Sequence, residues 1–359
     1  MIYDIDGTPQ AGEVTPEEVS TAFREAVAEG DINFGIQIGA TLPFNNLSQA
    51  WQDNATSAYN SLKAAYKAIA NNGIPFFIST DQHGRGLEQH RWANNIDIDG
   101  VNFASINLGD NVVDLFNYSG LQGYRHRTEQ VKNYISITGN HDAWWGIADN
   151  IPTAFDLSHY FHSTFRRTLT TGNNSSYTVN DAEHQVKFLV VDNYTNVGVV
   201  FGQEPGSANL SGDLADWLIK EMSKDEADLV YLQHWMLYAD RLVYKFRDGT
   251  ADTNTIGGSQ TLRSLVTARR NKLAGSVTDM DGVSHSYDFT GCQHDLLCAL
   301  HGHEHDEVYA TLDNLLCYVS DWFGNDKTCV FGLIDRGART LTIWKFDSTT
   351  VYDPFVMNL

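Results

Sequence analysis

Short apolar runs that end in polar, metal-binding side chains recur along this chain and limit its possible folds. Residues 74–78 form a continuous apolar run, which is typical of a strand buried on both faces of a sheet. Asp81 and His83 follow that run, and residues 101–108 repeat the arrangement before Asp110. In α/β folds, loops at the carboxyl ends of such strands meet at one crevice. The sequence therefore predicts an α/β fold with a polar site at that edge.

Five blocks of such side chains occur in a fixed order, and four of them come just after an apolar run. They are Asp81-Gln82-His83, Gly109-Asp110, Gly139-Asn140-His141-Asp142, His234 and Gly302-His303-Glu304-His305. Oxygen ligands mixed with imidazole nitrogen suit Mn, Fe, Zn or Ni better than Mg or Ca. Two such metals about 3.5–4 Å apart bind a phosphate, ionise a water and stabilise the leaving oxygen. The blocks thus predict two divalent metal ions and hydrolysis of a phosphoester.

Neighbouring residues within a block serve different purposes. Asp81 and His83 are alternate residues of a loop that leaves a strand, so both point toward one metal. Asp110 can bridge two metals with its two oxygens. Asn140 offers a neutral carbonyl oxygen, whereas His141 beside it would face the substrate, where a protonated imidazole stabilises the phosphate or protonates the leaving alcohol.

The histidine cluster at residues 301–305 is uncommon at a strand end unless it binds metal. His303 and His305 are one residue apart and form the stronger pair. His301 would face away from them if the strand continues, so we expect it to be a structural or supporting residue. His234 is a single histidine after an apolar strand and depends on the other blocks for its interpretation.

The order and spacing of the blocks resemble the calcineurin-like metallophosphoesterase superfamily, whose pattern is D-x-H, G-D, G-N-H-[DE], H, then G-H-x-H. The resemblance spans about residues 33–345, and the GNHD and GHEH blocks are its most specific parts. It implies a four-layered α/β/β/α sandwich with two mixed β-sheets. It also implies a bridging hydroxide as nucleophile and His141 as the acid. The implied ligands are Asp81, His83, Asp110 and His305 for one metal, and Asp110, Asn140, His234 and His303 for the other.

The chain departs from the family pattern at one position. Members often carry an aspartate three residues after the bridging aspartate, where it orients the catalytic histidine, but here Val113 stands there and Asp114 follows. Either a local bulge brings Asp114 into that role or Asp142 holds His141. Because position 113 is not tyrosine, the iron site of purple acid phosphatases is disfavoured. The Asp-Arg-Gly continuation of protein Ser/Thr phosphatases is also missing after Gly109-Asp110.

Cationic side chains near the blocks are candidates for gripping the phosphate, although solvated surface cations are the alternative. They are Arg85, His90, Arg91 and His126. The net charge of −21, from 24 basic and 45 acidic residues, repels polyanions, and no Lys/Arg-rich run reverses it locally. The expected partner is thus a small phosphorylated substrate, and duplex nucleic acid is disfavoured.

Residues 1–30 are predicted to form an N-terminal helical extension, because Thr15, Pro16 and Glu18 have the pattern of a helix start. Residues 31–359 would form the catalytic domain, with an insertion at about 239–293 near the mouth of the active site. That insertion contains a predicted helix over 260–272 and the cations Arg263, Arg269, Arg270 and Lys272. Further helices are predicted at 56–71 and from about 211, and antiparallel strands at 317–319, 329–334 and 341–344 that close the edge of a sheet.

No run approaches the roughly 18–20 apolar residues that cross a bilayer, and the start lacks the layout of a secretion signal. We therefore expect no membrane association and a cytoplasmic location. The four cysteines form no CxxC pair, and Cys298 and Cys317 lie in apolar runs, as buried thiols do.

The leading hypothesis is a dinuclear metal-dependent phosphoesterase that acts on a small phosphomonoester or phosphodiester. The alternative is a catalytically idle metal-binding assembly module, motivated by the spacing at Val113 and Asp114 and by the N-terminal helix. A prophage-associated role is a further possibility from a faint similarity of the polar start of the chain.

Overall fold

The structure is a computed structural model that describes fourteen separate parts of the chain. They are residues 2–3, 9–10, 47–69, 72–80, 88–96, 100–109, 131–137, 139, 170–171, 176–192, 210–237, 243–252, 259–323 and 326–359. The predicted N-terminal helix lies outside these parts. The division into an extension and a catalytic domain therefore stays a prediction.

Serine side chains cap the amino ends of the three longest described helices. Ser211 and Ser259 accept hydrogen bonds from the N–H groups of Leu214 and Leu262, so both predicted helix starts are confirmed. The first helix begins seven residues before the predicted position, because Ser48 caps it and Trp51 packs in the core. The helices are α1 (Gln49–Ile69), α2 (Glu88–Asn95), α3 (Gly212–Ser223) and α4 (Gln260–Arg270).

The strands of the described residues form two large sheets and two short hairpins. In chain order they are β1 (Ile2–Tyr3), β2 (Pro9–Gln10), β3 (Gly73–Ser79), β4 (Ala104–Asn107), β5 (Tyr134–Ser136), β6 (Thr170–Thr171), β7 (Tyr177–Asp181), β8 (Val186–Val191), β9 (Asp228–Gln233), β10 (Lys245–Phe246), β11 (Ala274–Thr278), β12 (Ser284–Asp288), β13 (Leu296–His301), β14 (Val308–Leu312), β15 (Leu315–Val319), β16 (Cys329–Asp335), β17 (Thr340–Phe346) and β18 (Phe355–Asn358).

Both large sheets are mixed. The six-stranded sheet has the order β18-β17-β16-β3-β4-β5, in which β3, β4 and β5 are parallel and the rest antiparallel. The eight-stranded sheet has the order β10-β14-β15-β13-β9-β8-β7-β6, in which β15, β13, β9 and β8 are parallel. The hairpins β1-β2 and β11-β12 pair only within themselves.

Three hydrophobic clusters place these sheets and helices in four layers. One cluster lies between the two sheets, where Phe76 and Ile106 of the first meet Val230 and Leu300 of the second. Gly332 lies opposite Phe76 on the neighbouring strand, and a Cβ there would overlap the phenyl ring, so glycine makes room for it.

The other two clusters lie on the outer faces of the sheets. Trp51 of α1 and Trp92 of α2 pack with Phe331 on the six-stranded sheet. Leu214 of α3 and Leu265 of α4 pack with the eight-stranded sheet. The layer order is α/β/β/α, so the predicted sandwich with two mixed sheets is confirmed.

The position of the late strands corrects one prediction. Residues 317–319 lie in β15, which runs parallel to β13 in the eight-stranded sheet, whereas β16 and β17 belong to the other sheet. β16 lies inside its sheet between β17 and β3, and β18 forms that edge. The physical reason is that the first six residues of Cys329–Asp335 are all buried, as an interior strand requires.

The predicted insertion is also placed differently where it is described. Residues 260–270 form α4 in the outer helical layer, and the hairpin β11-β12 follows it. Arg270 donates to the carbonyl oxygen of Leu296, and Lys272 pairs with Asp295, at the amino end of β13. These cations therefore lie at the strand end opposite His301, away from the predicted mouth.

The four cysteines are buried free thiols, and burial raises the pKa of Cys298 to about 12. No helix in the described ranges combines the length and hydropathy needed to cross a membrane.

Candidate functional site

Residues in or next to the five blocks meet at the carboxyl ends of β3, β4, β5, β9 and β13. Gly109 follows β4, and a Cβ built on it would overlap Nδ1 of His234 and lie 3.0 Å from the Cα of Gly139. Its backbone has φ of +112°, a conformation that other residues rarely adopt. Glycine at position 109 thus allows the blocks after β4, β5 and β9 to approach one another.

Gly302 makes a second close approach from β13. A Cβ built on it would lie 2.5 Å from Oγ1 of Thr80, 3.2 Å from the carbonyl oxygen of Leu108 and 3.3 Å from Nδ1 of His234. Its own N–H donates to the carbonyl oxygen of His234 at 3.0 Å. The ends of β3, β4, β9 and β13 therefore share one small region between the two sheets.

His234 is the best-defined side chain of this region. It is 1% exposed, and its Nδ1 lies 2.6 Å from the carbonyl oxygen of Leu108. Because a carbonyl oxygen can only accept, Nδ1 carries a proton, and in the neutral imidazole Nε2 then has the lone pair. Histidines that bind metal characteristically donate their other ring N–H to a carbonyl or carboxylate in this way. The donor set at His234 thus fits a divalent metal.

His303 and His305 follow in the same loop. The ring centroids of His303 and His234 are 5.2 Å apart. Both loop histidines have left-handed backbones, with φ of +80° for His303 and +57° for His305. Side chains held in such conformations cluster at functional sites, because the surrounding structure must enforce them.

The remaining predicted site residues have other outcomes. Asp81, His83, Asp110, Asn140, His141, Asp114, Asp142, Arg85 and His126 lie outside the described residues, and their roles stay predictions. Asp81, Asp110 and Asn140 directly follow Thr80, Gly109 and Gly139, which all lie in the region of close approach. The backbone of Arg91 lies in α2. Within the parts of the chain that are described, no three His, Cys, Asp or Glu side chains form a metal-binding group.

His90 does not fit the predicted role in gripping a phosphate. It lies on α2 with no exposed surface, and its Nδ1 is 2.8 Å from Oγ of Ser105. Burial lowers the pKa of His90 to about 3, so the imidazole is neutral and gives no positive charge to an anion. Closeness to His83 in sequence did not predict this orientation, because α2 turns residue 90 toward the sheet.

His301 is also buried in the core. Its Nδ1 lies 3.2 Å from the carbonyl oxygen of Gln233, and burial lowers its pKa to about 4. This placement fits a structural residue rather than a ligand.

Two residues of the site were not found from the sequence. Trp235 stacks on His303 with ring centroids 3.8 Å apart, and Trp322 stacks on His305 at 4.7 Å. Their positions in the sequence could have indicated them, because Trp235 directly follows His234 and Trp322 lies three residues after the end of β15. Neither tryptophan carries a charge or a metal-binding atom that would draw attention to it.

Neither a family model nor a curated protein matches the sequence. Similar solved structures include the anchor protein of the inner membrane complex of Plasmodium, at 10% identity and a TM-score of 0.45, covering 80% of this chain and 89% of that chain. A conserved Streptococcus pneumoniae protein predicted to be a phosphoesterase matches at 11% identity and a TM-score of 0.31, over 79% and 98%. A candidate 5'-nucleotidase of Staphylococcus aureus, in complex with α-ketoglutarate, matches at 12% identity and a TM-score of 0.43, over 80% and 54%.

The layer order gives the fold independently of those likenesses. α1 and α2 cover the six-stranded sheet, α3 and α4 cover the eight-stranded sheet, and the two sheets share a core. The strand ends that precede the five blocks meet at one edge of this core. The fold of this chain is the four-layered sandwich that the resemblance to the calcineurin-like metallophosphoesterases implies.

Proposed function

We propose that this chain is a dinuclear metal-dependent phosphoesterase that hydrolyses a small phosphomonoester or phosphodiester. The observation that carries the proposal is the close approach of Gly109, His234 and Gly302 from strands of both sheets. This approach puts the starts of the blocks that contain Asp110, Asn140 and His303 beside one another. Those blocks supply the carboxylate, amide and imidazole groups that a pair of divalent metals needs.

The tautomer of His234 supports the same reaction. Its proton is held at Nδ1 by the carbonyl oxygen of Leu108, so Nε2 is the nitrogen that binds. Two divalent ions, when bound, supply a Lewis acid for the phosphoryl oxygens and an activated water. His141 is proposed to protonate the leaving oxygen, and either Asp114 or Asp142 to orient it. The net charge of −21 favours a small anion that the metals attract over a long polyanion.

The first experiment measures metal content and phosphate release together. The purified protein is loaded with Mn, Fe, Zn or Ni, analysed for metal, and tested on aryl phosphomonoesters and phosphodiesters. We expect about two metal ions per chain and turnover of at least one ester class. Metal binding with silence across every ester would instead support the idle assembly module.

Single substitutions then test the site. Asp110→Asn, His234→Asn and His303→Asn should each lose both metal content and hydrolysis, because each removes a proposed ligand. His294→Asn is the matched control, since His294 precedes β13 at its amino end and its side chain is 43% exposed. Full activity of metal-free Asp110→Asn or His234→Asn protein would end the proposal.

A further inference from the structure

The two histidines of the 302–307 loop are each covered by a tryptophan that comes from another part of the chain. The His303 and Trp235 rings are 29° from parallel, and the His305 and Trp322 rings are 17° from parallel. Both pairs are therefore stacked face to face. Stacking restricts the rotation of an imidazole through its ring face and does not involve the in-plane ring nitrogens.

The backbone of this loop needs such support. His303 and His305 both have positive φ, and a non-glycine residue in that region is less stable than one in the ordinary helical or strand regions. In the first part of the loop, the N–H of Glu304 donates to the carbonyl oxygen of Gly302 at 3.1 Å. The stacked rings act on the side chains themselves.

Trp322 is held by a short polar chain. Its backbone N–H donates to Oδ1 of Asp321 at 2.9 Å, and Oδ2 of Asp321 accepts from Nζ of Lys345 at 2.6 Å. The next residue, Phe323, donates its N–H to the carbonyl oxygen of Thr80 at 2.9 Å. Residues 321–323 therefore connect His305 to the strand end that leads into Asp81.

The far end of the loop is held by Glu307. Arg247 donates to both oxygens of this carboxylate, at 2.9 and 3.0 Å, and the hydroxyl of Tyr318 donates at 2.9 Å. Lys345, which holds Asp321, is also 3.8 Å from Oε2 of Glu307. The far end of the loop and the segment that carries the ring under His305 thus share one network of charges.

We infer that Trp235 and Trp322 are positioning residues that orient His303 and His305 for divalent metal. This inference rests on the proposed function and extends it to two residues that are not themselves ligands. Trp235 is 3% exposed and comes directly after His234, so one short segment supplies a ligand and the support of another ligand.

The test measures metal affinity rather than activity. Zn²⁺ binding is measured on the full chain by competition with a chromogenic chelator, for wild type, Trp235→Leu and Trp322→Leu. Leucine keeps apolar volume but removes the ring face, and we expect binding to weaken by about 10–100-fold, as for other residues that orient metal ligands. Trp235→Phe and Trp322→Phe restore a ring face and should recover most of the affinity.

Trp217→Leu is the matched control. Trp217 is 8% exposed on α3 in the outer helical layer, so it has burial close to that of Trp235 without a ring contact to the loop histidines. Its loss should lower the melting temperature of the metal-free protein but leave Zn²⁺ affinity unchanged. The absorption bands of bound Co²⁺ give a second readout, since they report ligand geometry directly.

The outcomes separate the two ideas. If wild type binds Zn²⁺ and hydrolyses an ester while both leucine variants bind as tightly as wild type, only the positioning role is wrong. If wild type binds no divalent metal, the proposed function and the positioning role are both wrong. Where a leucine variant does not fold, the Co²⁺ absorption bands of the corresponding phenylalanine variant decide. Altered Co²⁺ bands support the positioning role, and bands and affinity identical to wild type refute it.

Discussion

Replacing Gly109 by alanine tests the close approach at the centre of the site. The new Cβ would overlap Nδ1 of His234 and lie 2.9 Å from its Cγ, well inside the ordinary contact distance of about 3.5–4.0 Å. The imidazole must therefore move by about 1 Å. Such a shift breaks the hydrogen bond, 2.6 Å long, from Nδ1 to the carbonyl oxygen of Leu108.

The magnitude follows from two contributions. Alanine at φ of +112° costs about 1–3 kcal/mol in backbone strain. A buried imidazole N–H left without its acceptor costs about another 1–3 kcal/mol. Gly109→Ala should therefore lower the free energy of unfolding by roughly 2–6 kcal/mol.

Gly249→Ala is the control for backbone strain. Gly249 has φ of +86°, and a Cβ there would meet no atom within 4 Å, so its substitution has the strain contribution alone. Both variants are unfolded in urea with a metal chelator present, so that metal binding does not add to stability. The difference between them should be about 1–3 kcal/mol. Equal losses of stability in the two variants would refute the contact between Gly109 and His234, and with it the convergence of the blocks.

Three further predictions concern contacts and charges elsewhere. Gly302→Ala should lower the free energy of unfolding in urea by about 1–3 kcal/mol, because the new Cβ would crowd Thr80 and Leu108. The control is Gly291→Ala, whose Cβ meets no atom within 4 Å and which should be neutral or slightly stabilising. Similar values for both variants would contradict the crowding at Gly302. Arg269→Ala should lower the free energy of unfolding by about 3 kcal/mol or more, because the fully buried Arg269 donates to the carbonyl oxygens of Met222 and His294. Arg263→Ala on the same helix removes only a partly exposed ion pair with Asp313, worth about 1 kcal/mol or less. Equal losses of stability in the two variants would refute the role of Arg269. His285 donates hydrogen bonds to the carboxylates of Asp279 and Asp216, which raise its pKa. The protonated imidazole therefore stabilises the fold fully below its unfolded pKa of about 6.5, and this contribution is lost as the pH rises through the higher folded pKa. The gap in melting temperature between wild type and His285→Asn should therefore shrink as the pH rises above about 6.5, and a constant gap would contradict the ion pairs of His285 with Asp216 and Asp279.

Strands buried on both faces were the most predictable elements of this fold. The apolar run at residues 74–78 lies inside β3 (Gly73–Ser79), and the strand predicted at 329–334 is β16 (Cys329–Asp335), which is one residue longer. Both faces of an inner sheet are covered in a four-layered protein, so a continuous apolar run is buried best as a strand of such a sheet. Elements without an apolar pattern were missed, such as α2, whose sequence EQHRWANN has one large apolar residue, and the exposed hairpin β11-β12.

The sheet to which a strand belongs was harder to predict than the strand itself. β15 and β16 both look like apolar strands in sequence, yet they lie in different sheets with different directions. The residues between them include Trp322 and Phe323, which contact the site as the chain crosses from one sheet to the other. A local pattern cannot encode that crossing, because it depends on which edge of each sheet is already paired.

The same limit explains which features of the candidate site are visible in the sequence. Possible metal-binding atoms can be recognised from residue type and spacing, so His234, His303 and His305 could be proposed as ligands from the sequence. The orientation of a donor depends on uncharged contacts, such as the carbonyl oxygen of Leu108 at His234 and the Trp322 ring at His305. Those contacts come from segments far apart in the chain and leave no spacing to detect. The proposed metal binding by the loop histidines therefore depends on the assembled layers, which is why substitutions at glycine and tryptophan test the proposal more sharply than substitutions at the proposed ligands themselves.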